Sequence, residues 1–223
     1  MKRTKLRERR LPDYTTGEEI MNMVTHIAGG ALGVVVLILC VTRAICSGSV
    51  RNIVGCAIYG TSIVSLYTIS SVYHGLRPEL AKKVLQVLDH CTIYFLIAGT
   101  YTPILLSAFV PTYPMIGWGL LAAEWVLAAL AATLTAIDLK KYAVFSMICY
   151  IGMGWGIVFF LPQTIALLSA PGFAWLLSGG IAYTIGAVFY GIGARKRWIH
   201  SVFHIFVVIG SLLQFLAIYL YVI

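Results

Sequence analysis

The sequence predicts an all-α membrane protein, a bundle of seven transmembrane helices that forms one domain over residues 1–223. Hydrophobic residues make up 60% of the chain and charged residues only 11%, against about 25% charged in a typical soluble domain. The mean hydropathy is +0.91. Long uncharged runs recur, each near the ~20 residues that a helix needs to cross ~30 Å of hydrocarbon. We therefore expect no separate soluble domain.

The expected spans follow from the runs between charged residues. We place them near 22–43, 52–74, 86–108, 115–136, 143–161, 172–192 and 199–222. Prolines mark two of the breaks, since proline cannot donate a backbone hydrogen bond. Pro111 and Pro114 separate the third run from the fourth, and Pro162 and Pro171 separate the fifth from the sixth.

Residues 1–16 form a basic tail that we expect to be retained, because no apolar signal-peptide core follows it at the usual distance. Thr16 and Glu19 then have the spacing of a capping box, which predicts a first helix that begins before it enters the bilayer. On that helix Glu19, Asn22 and His26 lie along one stripe.

The basic residues are very unevenly distributed between the two ends of the expected spans. One end has only Arg43 and Arg51, and the other has the remaining lysines and arginines of the sixteen in the chain. That end carries Lys2, Arg3, Lys5, Arg7, Arg9, Arg10, Arg77, Lys82, Lys83, Lys140, Lys141, Arg195, Lys196 and Arg197. The positive-inside rule therefore predicts a cytoplasmic N-terminus and an external C-terminus. This distribution explains the net charge of +8 without a nucleic-acid partner.

The five cysteines predict neither a disulfide framework nor a metal-binding pair, because they are scattered, odd in number and mostly within apolar runs. They are Cys40, Cys46, Cys56, Cys91 and Cys149.

Histidines gather at the cytoplasmic ends of the expected spans. His200 and His204 are four residues apart and share one helical face, and Ser70 and His74 have the same spacing on span two. Three neutral imidazoles with one open position are the ligand set of a catalytic zinc site, whereas calcium and magnesium prefer oxygen. We therefore expect Zn²⁺ bound by His74, His200 and His204.

Asp89 and His90 open span three near this cluster. As neighbours they point about 100° apart, so only one can face it, and we expect Asp89 to act on the water at the metal. Ser70 is expected to bond the developing oxyanion. Its alternatives are a bond to a backbone carbonyl of its own helix, or a nucleophile that lacks a separate base. His26 and His90, each taken alone, are more simply interpreted as histidines that reach the membrane interface or make a hydrogen bond than as metal ligands.

Four pieces of sequence resemble the hemolysin III branch of the progestin and adipoQ receptor family, a more distant relative of the alkaline ceramidases. They are Glu19-x-x-Asn22 with Thr25-His26, Ser70-x-x-x-His74, DHCTIYFLIAGTYTP at 89–103, and HSVFH at 200–204. The resemblance covers nearly the whole chain. It implies a seven-helix zinc protein of the bacterial plasma (inner) membrane, with His74, His200 and His204 as ligands and with Asp89 and Ser70 near the bound water.

One residue departs from the family pattern. Gln214 stands where the resemblance suggests a further histidine, about 15 Å deeper than His204 along the same helix. This difference should not affect the metal, but it puts in doubt any function of that histidine in the outer half.

The favoured function is a zinc-dependent hydrolase acting on an amide or ester of a membrane lipid at the cytoplasmic interface. The alternative is a non-enzymatic sensor of membrane lipid or energetics, receptor-like, in which zinc joins spans two and seven. The family name suggests a third, a cytolysin, but no polar stripe lines the outer halves of the spans. Ion transport is disfavoured because coupling sites usually lie near the midplane. Glu124 is interpreted as a carboxyl that is protonated or hydrogen-bonded against a neighbouring helix.

Overall fold

The computed structural model describes residues 4–193 and 196–223, and this part of the chain is helical with no strand. The basic residues Lys2, Arg3 and Arg195, which were counted above, lie outside the described residues. A short 3-10 turn at Leu6–Glu8 comes first. The helices are α1 (Thr16–Cys46), α2 (Val50–Gly75), α3 (Glu79–Thr112), α4 (Pro114–Ile137), α5 (Ala143–Gly154), α6 (Leu161–Gly193) and α7 (Ile199–Tyr221).

Six helical stretches in the described ranges are long and apolar enough to cross a membrane, which confirms an all-α membrane protein. Five of them are α1, α2, α3, α4 and α7. The sixth is the 51-residue stretch Ala143–Gly193, where the sequence predicted two spans. The count of seven spans and the direction of the termini stay predictions.

The stretch Ala143–Gly193 is not one straight rod. Ser169 lies inside it with φ 62° and ψ 166°, outside the helical region. Trp155 Nε1 donates a hydrogen bond to Thr184 Oγ1 at 3.0 Å. A straight helix would separate these two residues, which are 29 positions apart, by roughly 44 Å. The chain therefore reverses direction near Ser169, and its two arms lie side by side.

The break lies between Pro162 and Pro171, as the sequence predicted, but it is confined to Ser169 and is not a loop over that whole interval. Pro162 is the second residue of α6, and Pro171 is the second residue after the non-helical Ser169. Proline is tolerated at both places because the backbone N–H groups in the first turn of a helix have no partner within that helix. The break between the two arms is thus at Ser169.

The start of α1 also differs by one residue from the predicted capping box. Thr15 is the N-cap residue, with an extended backbone, and Thr16 is already helical. The Thr15 side chain accepts from the Glu18 backbone N–H at 3.2 Å, and Glu18 Oε2 accepts from the Thr15 N–H at 2.8 Å. The box is therefore Thr15–Glu18, which leaves the Glu19 carboxylate free for another partner.

Two glycines bring the helices around the site into close contact. A Cβ added at Gly29 would lie 2.5 Å from the Tyr67 ring, and one at Gly210 would lie 2.7 Å from the Tyr183 ring. The absence of these side chains lets α1 approach α2 and lets α7 approach α6. Both tyrosine hydroxyls then reach Ser211 Oγ, each at 2.8 Å. This shared hydroxyl links α2, α6 and α7 in the interior of the bundle.

The N-terminal tail is held against the end of α4. The Thr4 backbone N–H donates to Asp138 Oδ2 at 2.8 Å, and Arg9 Nη2 donates to the Ile137 carbonyl at 3.2 Å. Hydrogen bonds from the Thr4 backbone hold the pKa of Asp138 below its usual range, so the carboxylate is ionised at neutral pH. Asp138 is therefore the charged anchor of the tail.

Replacing Asp138 with alanine should loosen the tail. A hydrogen bond to a charged group contributes ~1.5–3 kcal/mol, so we expect trypsin to cleave at Arg7 and Arg9 about ten times faster in Asp138→Ala. The initial rate of cleavage in detergent measures this effect. Asp13→Asn is the matched control, because the Asp13 side chain is fully exposed and does not adjoin either cleavage site, so it should leave the rate unchanged. Equal rates for Asp138→Ala and the unmodified protein would contradict the anchoring role.

Candidate metal centre

Three histidines converge where α2 ends and α7 begins. His74 lies in the last turn of α2, and His200 and His204 lie in the first turns of α7. One ring nitrogen from each can be chosen so that all three lie within 4.8 Å of one another. His200 Nε2 and His204 Nε2 are 3.1 Å apart. The structure thus brings together the three histidines predicted from the sequence, as a group that could bind a metal ion.

Glu19 determines which nitrogen of His74 is free. His74 Nδ1 lies 2.6 Å from Glu19 Oε2, and His74 Nε2 is buried without a hydrogen-bond partner in the described part of the chain. In the neutral imidazole Nδ1 donates its proton to the carboxylate, which leaves the Nε2 lone pair available. Carboxylates commonly orient metal-ligating histidines in this way. Lys82 Nζ lies 2.8 Å from Glu19 Oε1 and supports the ionised carboxylate.

Asn22 orients the second helix of the cluster. Its backbone carbonyl oxygen lies 3.3 Å from His204 Nδ1, and its side-chain Oδ1 accepts a hydrogen bond from Ser201 Oγ at 2.6 Å. With Nδ1 donating to the carbonyl, His204 also directs Nε2 toward the other histidines. The donor set therefore fits zinc, which accepts neutral imidazole nitrogens whose opposite nitrogen is hydrogen-bonded to an oxygen.

His26 is more closely involved than the sequence suggested. Its ring is stacked on that of His204, with centroids 3.7 Å apart and planes inclined by 13°. The residue is 3% exposed, and neither ring nitrogen has a partner among residues 4–193 and 196–223. Within the described residues it therefore lacks the hydrogen bond of the simpler interpretation, and its burial prevents the ring from reaching the protein surface. The sequence signal for this position is the stripe that His26 forms with Glu19 and Asn22 along α1.

His90 has the ordinary environment that the sequence suggested for it. Its Nδ1 lies 2.8 Å from the Gln86 carbonyl oxygen, and its Nε2 lies 3.0 Å from the Tyr190 hydroxyl. Both nitrogens are thus used in contacts within the bundle. His90 does not belong to the three-histidine group.

A cavity of about 150 Å³ extends into the bundle from the histidine cluster, and Asp89, Ser70 and His204 border it. Ser70 is 1% exposed, and its hydroxyl has no partner in the described structure. The adjacent Ser71 instead donates to the Tyr67 carbonyl at 2.7 Å. Ser70 therefore does not make the bond within its own helix that was its simpler interpretation. Its hydroxyl remains available near the cluster.

A second cavity, of about 600 Å³, borders His200 on the side of the N-terminal tail. Arg10, Lys196 and Tyr14 are among its lining residues, and the Tyr14 ring stacks on that of His200 with centroids 5.0 Å apart. The Trp198 backbone N–H donates to Glu18 Oε1 at 2.7 Å, which fixes the start of α7 beside the start of α1.

Glu124 lies apart from the cluster. It is 4% exposed, and its Oε2 has no partner in residues 4–193 or 196–223. Its Oε1 lies close to Gly156: a Cβ added to that glycine would be 3.3 Å from Oε1. The carboxyl thus faces the segment after α5, as expected of a group packed against a neighbouring helix.

Similarity to known proteins extends over most of the chain. The model of the haemolysin-III related family matches residues 14–215. The chain is 36% identical over 205 residues to Hemolysin-3 of Bacillus cereus, a match that covers 92% of each chain. It is 35% identical over 208 residues to the Hemolysin-3 homolog of Bacillus subtilis, covering 93% of this chain and 96% of the relative. It is also 28% identical over 174 residues to the human monocyte to macrophage differentiation factor, a match that covers 74% of this chain and 68% of the relative.

The contact between Glu19 and His74 predicts a graded effect on metal binding. Glu19→Gln keeps the volume and an acceptor oxygen but removes the charge, and loss of such an orienting carboxylate weakens a metal site about 10–100-fold. We therefore expect the zinc dissociation constant of the purified variant to rise by that factor. A titration against a competing chromophoric chelator measures it.

Two further variants define the scale for this measurement. Glu79→Gln removes an exposed carboxylate that pairs with Lys83 and should bind zinc like the unmodified protein. Replacing both His200 and His204 with alanine should abolish stoichiometric binding. Metal retained in the double variant would exclude the cluster as the zinc site, and unchanged affinity in Glu19→Gln would exclude the orienting role.

Proposed function

The chain belongs to the haemolysin-III related family, and on that premise we propose that it is a zinc-dependent hydrolase acting on an amide or ester bond of a membrane lipid. The supporting observation is that His204, a member of the three-histidine group, borders a largely apolar cavity together with Asp89 and Ser70. Three imidazoles leave a zinc ion one open position, which catalytic zinc sites keep and structural ones fill. The cavity gives that open position a neighbouring space suited to an acyl chain.

His74 and His204 would hold the metal through the nitrogens left free by Glu19 and Asn22, and His200 through Nε2, which lies 3.1 Å from His204 Nε2. Zinc in this place would supply a water of lowered pKa and polarise the carbonyl of the substrate. The work of the protein is then to keep these imidazoles neutral and oriented, and to exclude bulk water from the reacting bond.

Asp89 and Ser70 carry the proton transfer and the stabilisation of charge. Asp89 borders the same cavity and takes the proton of the attacking water. The Ser70 hydroxyl donates a hydrogen bond to the carbonyl oxygen as that oxygen gains negative charge. When the C–N or C–O bond breaks, Asp89 returns the proton to the leaving amine or alcohol. Ser70 does not act as the nucleophile, because His74, its nearby imidazole, is occupied as a ligand.

The substrate class follows from the lining of the cavity. Beyond the polar groups at the cluster, residues such as Ile93, Leu96 and Val207 border it. An acyl chain between these residues gains the free energy of apolar burial, while its carbonyl lies beside the polar groups. A membrane lipid is therefore the partner that fits both ends of the site.

A second candidate is a non-enzymatic sensor of membrane lipid or energetics. One observation favours it: the cluster and its hydrogen bonds join α1, α2 and α7 through Glu19 and Asn22, so a metal ion would also fasten three helices. The name of the Bacillus relatives suggests a cytolysin as a third candidate. A small cavity bordered mainly by apolar side chains offers no aqueous path, so we rank this function last.

We infer seven spans, with a cytoplasmic N-terminus and an external C-terminus, in the plasma (inner) membrane of a bacterium. The reversal of Ala143–Gly193 at Ser169 supports two crossings by that stretch. The excess of basic residues at one end supports the direction. This topology puts the cluster at the cytoplasmic interface, the depth at which the linkages of lipid headgroups lie.

Reporter fusions test this topology. Alkaline phosphatase, which is active only outside the cytoplasm, should be active when fused after Ile223 and inactive when fused after Lys141 in the loop that follows α4. A cytoplasmic fluorescent reporter should give the opposite pattern at both positions. An inactive phosphatase after Ile223, together with a fluorescent reporter there, would contradict the inferred direction.

The role of Asp89 separates the two leading functions. Asp89→Asn keeps the size and hydrogen-bonding capacity but removes the carboxylate, so zinc should stay bound while hydrolysis falls by the ~10²–10⁴-fold typical of a lost general base. If zinc only fastens the helices, the change should instead lower the melting temperature most at limiting zinc, with recovery on adding zinc. Lipid hydrolysis at saturating zinc and melting temperature across a zinc titration measure both effects.

Asp13→Asn is the matched control, since the Asp13 side chain is fully exposed and should change neither quantity. Unchanged hydrolysis by Asp89→Asn at saturating zinc would remove Asp89 from the mechanism. An unmodified protein that hydrolyses none of a broad set of membrane amides and esters would favour the sensor.

A further inference from the structure

The cavity at the metal centre has unused hydrogen-bonding groups at both of its ends. Three residues that border it have buried polar atoms without a partner in residues 4–193 and 196–223, namely His26, Ser70 and Gln214. His26 and Ser70 lie beside the histidine cluster. Gln214 lies ten residues beyond His204 on α7, about 15 Å along the helix axis.

Polar side chains elsewhere along the cavity make their hydrogen bonds within the protein. Thr100 Oγ1 donates to the Leu96 carbonyl at 2.7 Å, in its own helix. Trp155 Nε1 donates to Thr184 Oγ1, which itself donates to the Gly180 carbonyl at 2.8 Å. These groups offer little to a ligand. The far end of the cavity therefore differs from its middle through Gln214.

The Gln214 amide is fixed in one orientation. The residue is 6% exposed, and its Nε2 donates to the Leu176 carbonyl on α6 at 3.1 Å. A Cβ on Gly179 would lie 2.7 Å from that nitrogen, so the amide is packed closely against α6. The carbonyl Oε1 remains without a donor. A buried acceptor without a donor is unfavourable, so a ligand that supplies one is preferred over a ligand that does not.

We propose that this cavity selects acyl chains that carry a hydroxyl group about 15 Å from the reacting carbonyl, with Gln214 Oε1 accepting from that hydroxyl. The substrate class is thus a hydroxylated acyl lipid. The position of the reacting carbonyl at the histidine cluster rests on the proposed function. The selection of the hydroxyl by Gln214 does not require hydrolysis. A plain acyl chain fills the same space and leaves Oε1 unpaired.

Two fatty acids of equal length test the selection: ω-hydroxydodecanoate, which carries a terminal hydroxyl, and dodecanoate, which does not. Binding to the zinc-loaded, full-length protein in detergent is measured by calorimetry. We expect the hydroxylated acid to bind about tenfold more tightly, as one hydrogen bond to a buried acceptor allows. ω-Hydroxyhexanoate, which is too short to reach Gln214, should bind no more tightly than hexanoate.

Gln214→Leu should remove the preference, giving equal dissociation constants for the two twelve-carbon acids. Thr100→Val is the matched control, because it also removes a polar group from the cavity wall, but one whose hydrogen bond is already made. It should keep the preference. The measured quantity is a ratio of two ligands on one protein, so a general change in the affinity of the cavity cancels. If Gln214→Leu does not fold, Gln214→Met replaces it.

Three results would overturn the inference: no preference in the unmodified protein, a preference that persists in the Gln214 variant, or no binding of either acid up to its solubility limit. The first result would show that an ordered water, and no ligand hydroxyl, satisfies Oε1, and the second would show that another group accepts the ligand hydroxyl. Failure of the proposed function gives a different pattern. Hydrolysis would be absent while the preference for the hydroxylated acid remained.

Discussion

The hydrogen bond between the Glu19 carboxylate and His74 Nδ1 is the contact on which the candidate metal centre depends. It joins α1 to α2 and decides which nitrogen of His74 can face a metal ion. A partly buried carboxylate is costly unless it is paired, and Lys82 supplies the compensating charge at 2.8 Å. Without this carboxylate the His74 ring would lose both its orientation and its tautomer. The other two histidines would then have no fixed third partner.

Helix α1 positions the cluster although none of its residues belongs to the three-histidine group. Besides Glu19, it places the Asn22 carbonyl beside His204 Nδ1 and the His26 ring against the His204 ring. Its first turn also fixes the start of α7, since Glu18 accepts from the Trp198 backbone N–H. The stripe along α1 thus orients residues of two other helices. A loss of register in α1 would disturb all of these contacts together.

The site combines two environments that a lipid hydrolase needs. At the cluster, oriented imidazoles, the Asp89 carboxylate and the free Ser70 hydroxyl provide polar groups in a water-poor setting, where electrostatic interactions are strong. Beyond them the wall is largely apolar. The same arrangement is also compatible with the sensor function, because a lipid that separated the three helices would change the coordination of a metal ion at their junction. The two functions differ in what Asp89 and Ser70 do.

The sequence by itself determined the class of protein, the approximate positions of its long apolar helices and the shared face of His200 and His204, because these depend on local composition and on helical periodicity. It misplaced the capping box by one residue and expected a break over 162–171 where only Ser169 is non-helical, because both depend on which residue leaves the helical region of φ and ψ. Only the tertiary structure decided that Glu19 contacts His74, 55 positions away, and that His26 stacks on His204. Such contacts arise from how helices distant in sequence pack, and no local pattern encodes that packing.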